Sequence, residues 1–366
     1  MELDEYAGIF HSKSCDYYII KLIGEGATSF VYQCQKEDSS IYAIKLYTNE
    51  HSFQQETLIL SKLPCSKSIV KLINYGRGII ECGGSLESFT ITEHFVIGEE
   101  INYVLLEYLP NGELFDYIHF LKIGFCEKIV KYLFIQVLEA VNLCHTNGII
   151  HSDIKLENIL LSNTSELKLI DFGCAKEING NDFRQYKWSG TIKYSAPEVH
   201  YSPETLGYDG VKNDIFSLGI MLFTLLFGFY PFAKPNIADP IYKLFIEEEY
   251  CTFCAKFEHT TQCSENFKDL FNRMVCFDPK ERINLDEIKN HPWLIKDDKD
   301  NCLLNHEIFE KEFHKRKRIV DEKKRNIINR YIYIKNRFPI YFNIFYILVY
   351  RGVNVNKNTD ILIYMC

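Results

Sequence analysis

Residues 151–173, HSDIKLENILLSNTSELKLIDFG, constrain the fold of this chain more than any other stretch. Two short apolar runs, Ile159-Leu160-Leu161 and Leu167 with Leu169-Ile170, flank Ser162-Asn163-Thr164-Ser165. Ser, Asn and Thr side chains bond their own backbone and favour turns, so the pattern predicts a β-hairpin. A hairpin brings together the residues just outside its ends, here Asn158 and Asp171. An amide oxygen beside a carboxylate suits a hard divalent cation such as Mg²⁺. Asp153 lies on the same loop as Asn158, with Lys155 between them. A residue to position a hydroxyl, oxygen ligands for a metal and a Lys near migrating charge are the parts that phosphoryl transfer needs.

His151-x-Asp153-x-Lys155-x-x-Asn158 followed by Asp171-Phe172-Gly173 resembles the catalytic loop and DFG motif of eukaryotic protein kinases. The resemblance covers about residues 17–295. It implies an α+β fold of two lobes, a β-rich small lobe over 17–109 and an α-rich large lobe over 110–295. Residues 1–16 are then an N-terminal extension and 296–366 a C-terminal tail. The resemblance implies ATP as donor, Mg²⁺ as cofactor and protein Ser/Thr hydroxyls as acceptors. Asp153 would position the hydroxyl and accept its proton, and Lys155 would neutralise developing charge. Asn158 and Asp171 would hold Mg²⁺. The competing reading is a pseudokinase scaffold on the same fold, which the intact Lys45, Asp153, Asn158 and Asp171 disfavour.

Upstream, residues 17–34 (YYIIKLIGEGATSFVYQC) read as strand, Gly-rich turn, strand. Gly24 and Gly26 let backbone lie close to phosphates. A lone Gly-rich turn is weak evidence. Within the resemblance it is the loop over the nucleotide, with Ile23, Gly24, Glu25 and Gly26 as binding residues and Ser29 where a third Gly is usual. Its wording is most similar to the calcium/calmodulin-dependent group. Ile41–Tyr47 is a β-rich run containing Lys45. Ser52-Phe53-Gln54-Gln55 has a capping-box pattern that predicts a helix start. Glu56, Leu60 and Leu63 then share one helical face. That face wants the core, and a buried carboxylate needs a partner. Lys45 matches the family's partner, which Glu56 orients toward the phosphates. Residues 76–101 read as an insertion within the small lobe. By resemblance, Leu106 is the gatekeeper, the backbone of Glu107 and Leu109 bonds adenine, and Val31, Ala43 and Leu160 enclose the ring.

Glu113–Ile118 is expected to begin a helix, Ile129–His145 to form a buried one, and Asp214–Phe227 another. The activation segment, Asp171–Glu198, ends GTIKYSAPE, where Thr191 would contact Asp153 and Lys155. Asp214 matches the family's buried Asp beneath the catalytic loop, and Arg282 the partner of Glu198. Two departures stand out. Ser152 replaces the usual Arg before Asp153, and Lys187 stands where relatives carry a phosphorylated hydroxyl. Anion and receptor are both missing, which points to activity independent of activation-segment phosphorylation and to control elsewhere, in the basic tail. Glu113 and Glu157 imply a preference for a basic residue three before the acceptor, while Thr224 lacks the acid some basophilic relatives use.

Composition sets the remaining bounds. The 366 residues carry a net charge of −8, which argues against bulk binding to nucleic acid. The acidic start MELDEYAGIF lacks the blocks of a signal peptide, and no apolar run reaches the roughly 18 residues of a membrane span. The expectation is an intracellular, cytoplasmic protein with its 13 Cys reduced. Cys251-x-x-Cys254-x₄-His259-x₃-Cys263 imitates a zinc knuckle, but its last spacing is one short and packing cysteines are the better reading. Residues 311–337 hold eleven Lys/Arg against three Asp/Glu, a net +8 that leaves −16 for the rest. Phe313, Val320 and Ile327 recur at sevens in this basic stretch. Such a helix suits a calmodulin-like partner, an inhibitory contact with the kinase, or plain solvation. Residues 338–350 (FPIYFNIFYILVY) are apolar but short.

Overall fold

Period-two burial along the first hundred residues builds antiparallel strands, and a computed structural model shows how they close. It describes residues 6–84, 91–178, 180, 182–202, 205–247, 263–295 and 301–337. Strands β1 (Gly8–Ser12), β2 (Asp16–Glu25), β3 (Ser29–Gln35), β4 (Ile41–Tyr47), β5 (Leu72–Cys82) and β6 (Glu100–Glu107) form a closed barrel in the order β1-β2-β3-β4-β6-β5. β1 seals it by pairing with β2 on one side (Gly8↔Ile19) and β5 on the other (Gly8↔Cys82). The sheet thus begins before residue 17, and the first part of the 76–101 stretch continues a strand that β1 covers. Pairing both edges removes the exposed ladder that an open sheet would present. Gly78 is required at this seam, because a Cβ there would lie 2.4 Å from the His11 carbonyl and 2.5 Å from the Phe10 ring.

Phe10, Tyr17, Ile19, Tyr32, Ile44 and Leu105 fill the barrel. A helical turn at residues 91–95 closes one end, adding Ile91 and Phe95. The His94 ring stacks on Phe30 at 3.8 Å, and Phe95 meets Phe30 edge-on at 5.7 Å. Helix α1 (Glu50–Lys62) packs outside the barrel with Glu56, Ile59 and Leu60 buried. Its cap is Asn49, whose side chain accepts from the Ser52 amide, so the box expected at Ser52 does not form. An Asn three residues earlier satisfies the same orphan amides.

In the large lobe, helix α2 is a single turn, Asp116–His119. The helix expected from Glu113 starts late because its first residues pair with the catalytic hairpin: the Leu114 amide donates to the Ile159 carbonyl at 2.8 Å. The core helices are α3 (Glu127–Thr146) and α5 (Gly210–Phe227). α5 is long and apolar enough to cross a membrane by composition, yet 89% of it is buried inside the lobe, as expected of a core helix. The shorter helices α4 (Pro197–Tyr201), α6 (Pro240–Ile246), α7 (Glu265–Met274), α8 (Leu285–Lys289) and α9 (Pro292–Ile295) surround them.

The tail continues as one long helix, α10 (Asn301–Arg337), docked on α2 and α3. Phe309, Phe313 and Val320 are buried there, and Ile327 is exposed. The apolar seam read at sevens therefore ends where the lobe ends. Arg316 donates to the Tyr117 carbonyl (3.0 Å), the Ile123 carbonyl (2.8 Å) and the Gly124 carbonyl (2.6 Å), and pairs with Glu312 at 2.7 Å. A free, solvated tail helix is excluded over this length. Cys251, Cys254 and His259 of the apparent zinc knuckle, and residues 338–350, lie outside the described residues. No disulfide forms among the described cysteines.

Candidate active site

The expected hairpin forms. After the two-residue strand β7 (Ile149–Ile150), strands β8 (Ile159–Leu161) and β9 (Leu167–Leu169) pair in the register Ile159↔Leu169, Leu160↔Lys168, Leu161↔Leu167. The turn is held by Ser162, whose hydroxyl accepts from the amides of Thr164 and Glu166. Asn158 and Asp171 flank the hairpin, and the Ile170 amide donates to the Asn158 carbonyl at 2.9 Å.

Asp214, fully buried in α5, holds the preceding loop. It accepts from the amides of His151 and Ser152, both at 2.9 Å, and from His145 at 2.8 Å. Those bonds offset the cost of the left-handed backbone at Ser152, φ 66°. On this platform Thr191 donates to one Asp153 oxygen at 2.8 Å and Lys155 to the other at 2.6 Å. Lys155 also donates to the Thr191 hydroxyl at 3.0 Å. The Asn158 amide nitrogen donates to the Asp153 carbonyl at 2.8 Å, so its side-chain oxygen is the atom offered to a cation.

A second cluster joins the lobes. Lys45 donates to both Glu56 oxygens at 2.8 and 2.7 Å and to Asp171 at 2.8 Å. Tyr47 donates to Glu56 at 2.8 Å. The Lys45 ammonium beside it holds the Asp171 carboxyl down to about 2. Burial works against the Lys45 charge, but Asp171 and Glu56 outweigh it and raise its pKa above the ordinary value. Gln55 of α1 donates to the Ala175 carbonyl, tying helix and activation segment together. An ionised carboxylate and an amide oxygen at the mouth of the cleft are hard donors, the kind Mg²⁺ takes when its remaining ligands are waters and phosphate oxygens.

The cleft wall is formed by Val31, Ala43, Leu106 and Leu160 around β4, β6 and β8, with Ala43 opposite Leu106. The Glu107 amide donates to the Lys71 carbonyl, which limits any purine contact of that residue to its own carbonyl. The Glu107 carboxylate pairs with Lys168 of β9 at 2.7 Å. The chain turns through Leu109 beyond it. Ile23, Gly24 and Glu25 end β2 above the cleft, with Gly24 opposite Val31, and Gly26 opens the turn, closed by its amide on the Ser29 carbonyl at 2.8 Å. A Cβ at Gly24 or Gly26 would meet nothing closer than 3.4 Å. The fold does not demand glycine at either position, which leaves room for a ligand as the reason for both.

Below the hinge, Glu113, Asp116 and Glu157 gather. Burial first, then Asp116 and Glu157, push the Glu113 carboxyl up to about 8. Lys324 of α10 bonds Asp116 at 2.5 Å. Arg282 pairs with Glu198 at 2.6 Å, as expected. Sequence reading missed Tyr47, His145, Lys168 and Lys324. Tyr47 had a usable signal, since i+2 on a strand shares a face with Lys45. His145 had a weaker one, as a polar residue closing an otherwise apolar helix.

A Gly-rich turn over a cleft, a Lys–Glu pair between strand and helix, and an Asp–Lys–Thr cluster on an Asp-anchored loop define a two-lobed kinase fold. The family model for the protein kinase domain matches residues 17–294, and the chain belongs to that family. It is 36% identical over 194 residues to maternal embryonic leucine zipper kinase of Xenopus laevis, covering 53% of this chain and 28% of that protein. It is 34% identical to CBL-interacting protein kinase 26 of Oryza sativa subsp. japonica, over 81% of this chain and 56% of the relative. With CBL-interacting serine/threonine-protein kinase 16 of Arabidopsis thaliana the figures are 31%, 76% and 57%. The chain thus spans little more than half the length of these relatives at most. They place it with the calcium/calmodulin-dependent group that its Gly-rich turn resembles.

Proposed function

We propose that this protein transfers the γ-phosphate of ATP to Ser/Thr hydroxyls of proteins, and that its activation segment needs no phosphate to do so. The observation that carries the reading is the pair of assembled clusters, Lys45–Glu56–Asp171 and Asp153–Lys155–Thr191, in one cleft. Lys45, fixed by Glu56, orients the α- and β-phosphates. Asp153 orients the acceptor hydroxyl and takes its proton as the oxygen attacks phosphorus. Lys155 stabilises the charge that develops on the transferred group. Asn158 and Asp171 hold Mg²⁺, which when bound neutralises charge on the phosphate oxygens. Thr191 beside Asp153 and Lys155 favours Ser/Thr over Tyr as acceptor.

What replaces the missing Arg supports the phosphate-independent reading. Ser152 has no charge to offer, and its buried hydroxyl has no hydrogen-bond partner among the described residues. The segment is secured without it. Lys176 donates to the Lys187 carbonyl, Lys176 and Glu177 pair with Ile150 and Ile149, and Arg184 pairs with Asp209. Basic residues upstream of the acceptor would meet Glu113 and Glu157. Thr224 adds nothing there, being buried with its hydroxyl on the Ile220 carbonyl. The test is peptide phosphorylation by full-length protein before and after phosphatase, with Asp171→Asn as the baseline. Equal activity on both sides supports the proposal. Collapse after phosphatase refutes phosphate independence, and no transfer above the baseline at any stage refutes the kinase reading.

A further inference from the structure

The activation segment carries charge of the opposite sign to the chain as a whole. The net charge is −8, yet residues 183–197 contain Arg184, Lys187 and Lys193 and no Asp or Glu. Lys176 donates to the Lys187 carbonyl, which holds the backbone there and leaves the Lys187 side chain in solvent. Lys176 is itself half-buried, and burial holds its pKa below the ordinary value, with no carboxylate beside it to raise it. The exposed Trp188 ring meets His200 edge-on at 5.2 Å. Burial first lowers the His200 pKa, Glu198 opposes the shift and Lys234 adds to it, which places Lys234 near that ring. Lys187, Trp188, His200 and Lys234 thus share one surface. Lys176, Lys187 and Lys234 form no ion pair among the described residues. The acids around them are engaged: Glu177 with Lys62, Glu198 with Arg282, Asp209 capping α5, and Asp239 accepting from the amides of Ala233, Lys234, Ile241 and Tyr242.

This surface begins at the acceptor site. Thr191 bonds Asp153, and Lys187 lies four residues before Thr191. A peptide with its upstream part on Glu113 and Glu157 and its hydroxyl at Asp153 leaves over Thr191 and the activation segment. We propose that the surface binds acidic substrate sequence after the acceptor, with a carboxylate about three to five extended residues downstream held by Lys176, Lys187 and Lys234 across the Trp188 ring. The inference rests on the kinase reading above and extends it to substrates that are basic before the hydroxyl and acidic after it. It also gives Lys187 a role, because a phosphate at that position would repel what the lysines attract.

A second copy of the chain is the weaker occupant. A two-fold contact through this face would set its lysines against their own equivalents. An acidic peptide meets complementary charge without that conflict.

The experiment is steady-state phosphorylation by the full-length protein of peptides with Arg three before a Ser acceptor and Glu, Gln or Lys at each of positions two to six after it. At the best position Glu should lower KM about threefold to tenfold against Gln, the scale of one or two exposed ion pairs. Lys should raise it, and physiological salt should shrink the spread. K187Q/K234Q should abolish the preference at unchanged kcat and unchanged KM for the Gln peptide. K13Q/K128Q, an equal charge change elsewhere on the surface, should keep it. K187E should turn the preference towards Lys, a reversal that loss of structure alone would not produce, and it carries the test alone if the double variant does not fold. Equal KM for Glu and Gln at every position, or a preference that survives both K187Q/K234Q and K187E, overturns the proposal and leaves the kinase reading standing. Equal KM together with a dimer in sedimentation overturns it in favour of a second copy. Transfer to no peptide above the Asp171→Asn baseline overturns the kinase reading and this proposal with it.

Discussion

Lys45 and Arg316 are both buried cations, and the protein treats them in opposite ways. Lys45 sits among carboxylates, Glu56 and Asp171, at the edge of an open cleft. Arg316 spends its two terminal nitrogens on backbone carbonyls at the Tyr117–Gly124 corner, with Glu312 of its own helix on the third nitrogen, and is stacked 3.9 Å over the Phe125 ring. Carboxylates can re-pair, with a metal or with a different rotamer, when a phosphate arrives. Carbonyls fixed in a loop cannot. The first arrangement keeps a charge available for a ligand. The second uses a charge to join two segments of chain, satisfying the Tyr117 carbonyl of α2 and the Ile123 and Gly124 carbonyls of the loop that precedes α3. Burial of a cation is therefore no guide to its role until the partners are named.

The comparison is broken most severely in the cleft. Asp153→Asn should lower peptide phosphorylation by about 10²–10⁴-fold, the range for losing a positioned base. Its melting temperature should stay near wild type, because the loop is held by Asp214. Near-wild-type turnover in steady-state assays would show that Asp153 does not serve the hydroxyl. Arg316→Ala should do the reverse. It leaves three carbonyls without donors and should cost about 2–4 kcal/mol of stability. Turnover of the folded fraction should change little. Thermal unfolding and kcat measured on the same preparations separate the two outcomes, and a variant as stable as wild type would show that α10 is not anchored there.

The pKa of Glu113 gives a graded test. Its carboxyl titrates near 8, so the free protein carries mostly the neutral form at pH 7. A peptide with Arg three before its acceptor should bind better as pH rises from 7 to 8.5, up to about tenfold in KM. Glu113→Gln should flatten that profile. The same elevation has a sign for folding. A carboxyl that holds its proton more tightly when folded costs stability as pH climbs from its unfolded value near 4.5 towards 8. Glu113→Gln should therefore gain relative stability over that window, measured by denaturant titration at each pH. Asp171 runs the other way. Its depressed pKa contributes stability that is present above about 4 and lost as pH falls towards 2.

How much of this could be read from the chain differs between the two regions. Asp153, Asn158 and Asp171 are placed by one local hairpin, and Lys45 with Glu56 by a strand and a helix of ordinary periodicity. Local pattern sufficed there because each residue's partner lies next to a recognisable turn or face. Closure of the barrel was not legible. β1 pairs with β5 across about 70 residues, and the need for Gly78 arises only where Phe10 arrives against it. Arg316 was hidden for another reason: it is one Arg in a basic run, chemically the same as Arg318, which stays in water. Its burial depends on lying three residues after Phe313 and four before Val320, on the face the lobe covers.

Lys324 sharpens the comparison at its weakest point, where tail and cleft meet. Its ammonium bonds Asp116 beside Glu113, on the ground a basic substrate residue would use. The contact is partly open to solvent, with Lys324 about half exposed. A pair of this kind is worth less than about 1 kcal/mol. Lys324→Ala should accordingly lower KM for an Arg-containing peptide by about two- to fivefold at unchanged kcat. A peptide with Ala in place of that Arg should show no shift, and physiological salt should shrink the difference. If KM rises instead, Lys324 orders the acids for the substrate rather than competing with it. If both peptides respond equally, the effect reaches the cleft through α2 and not through charge.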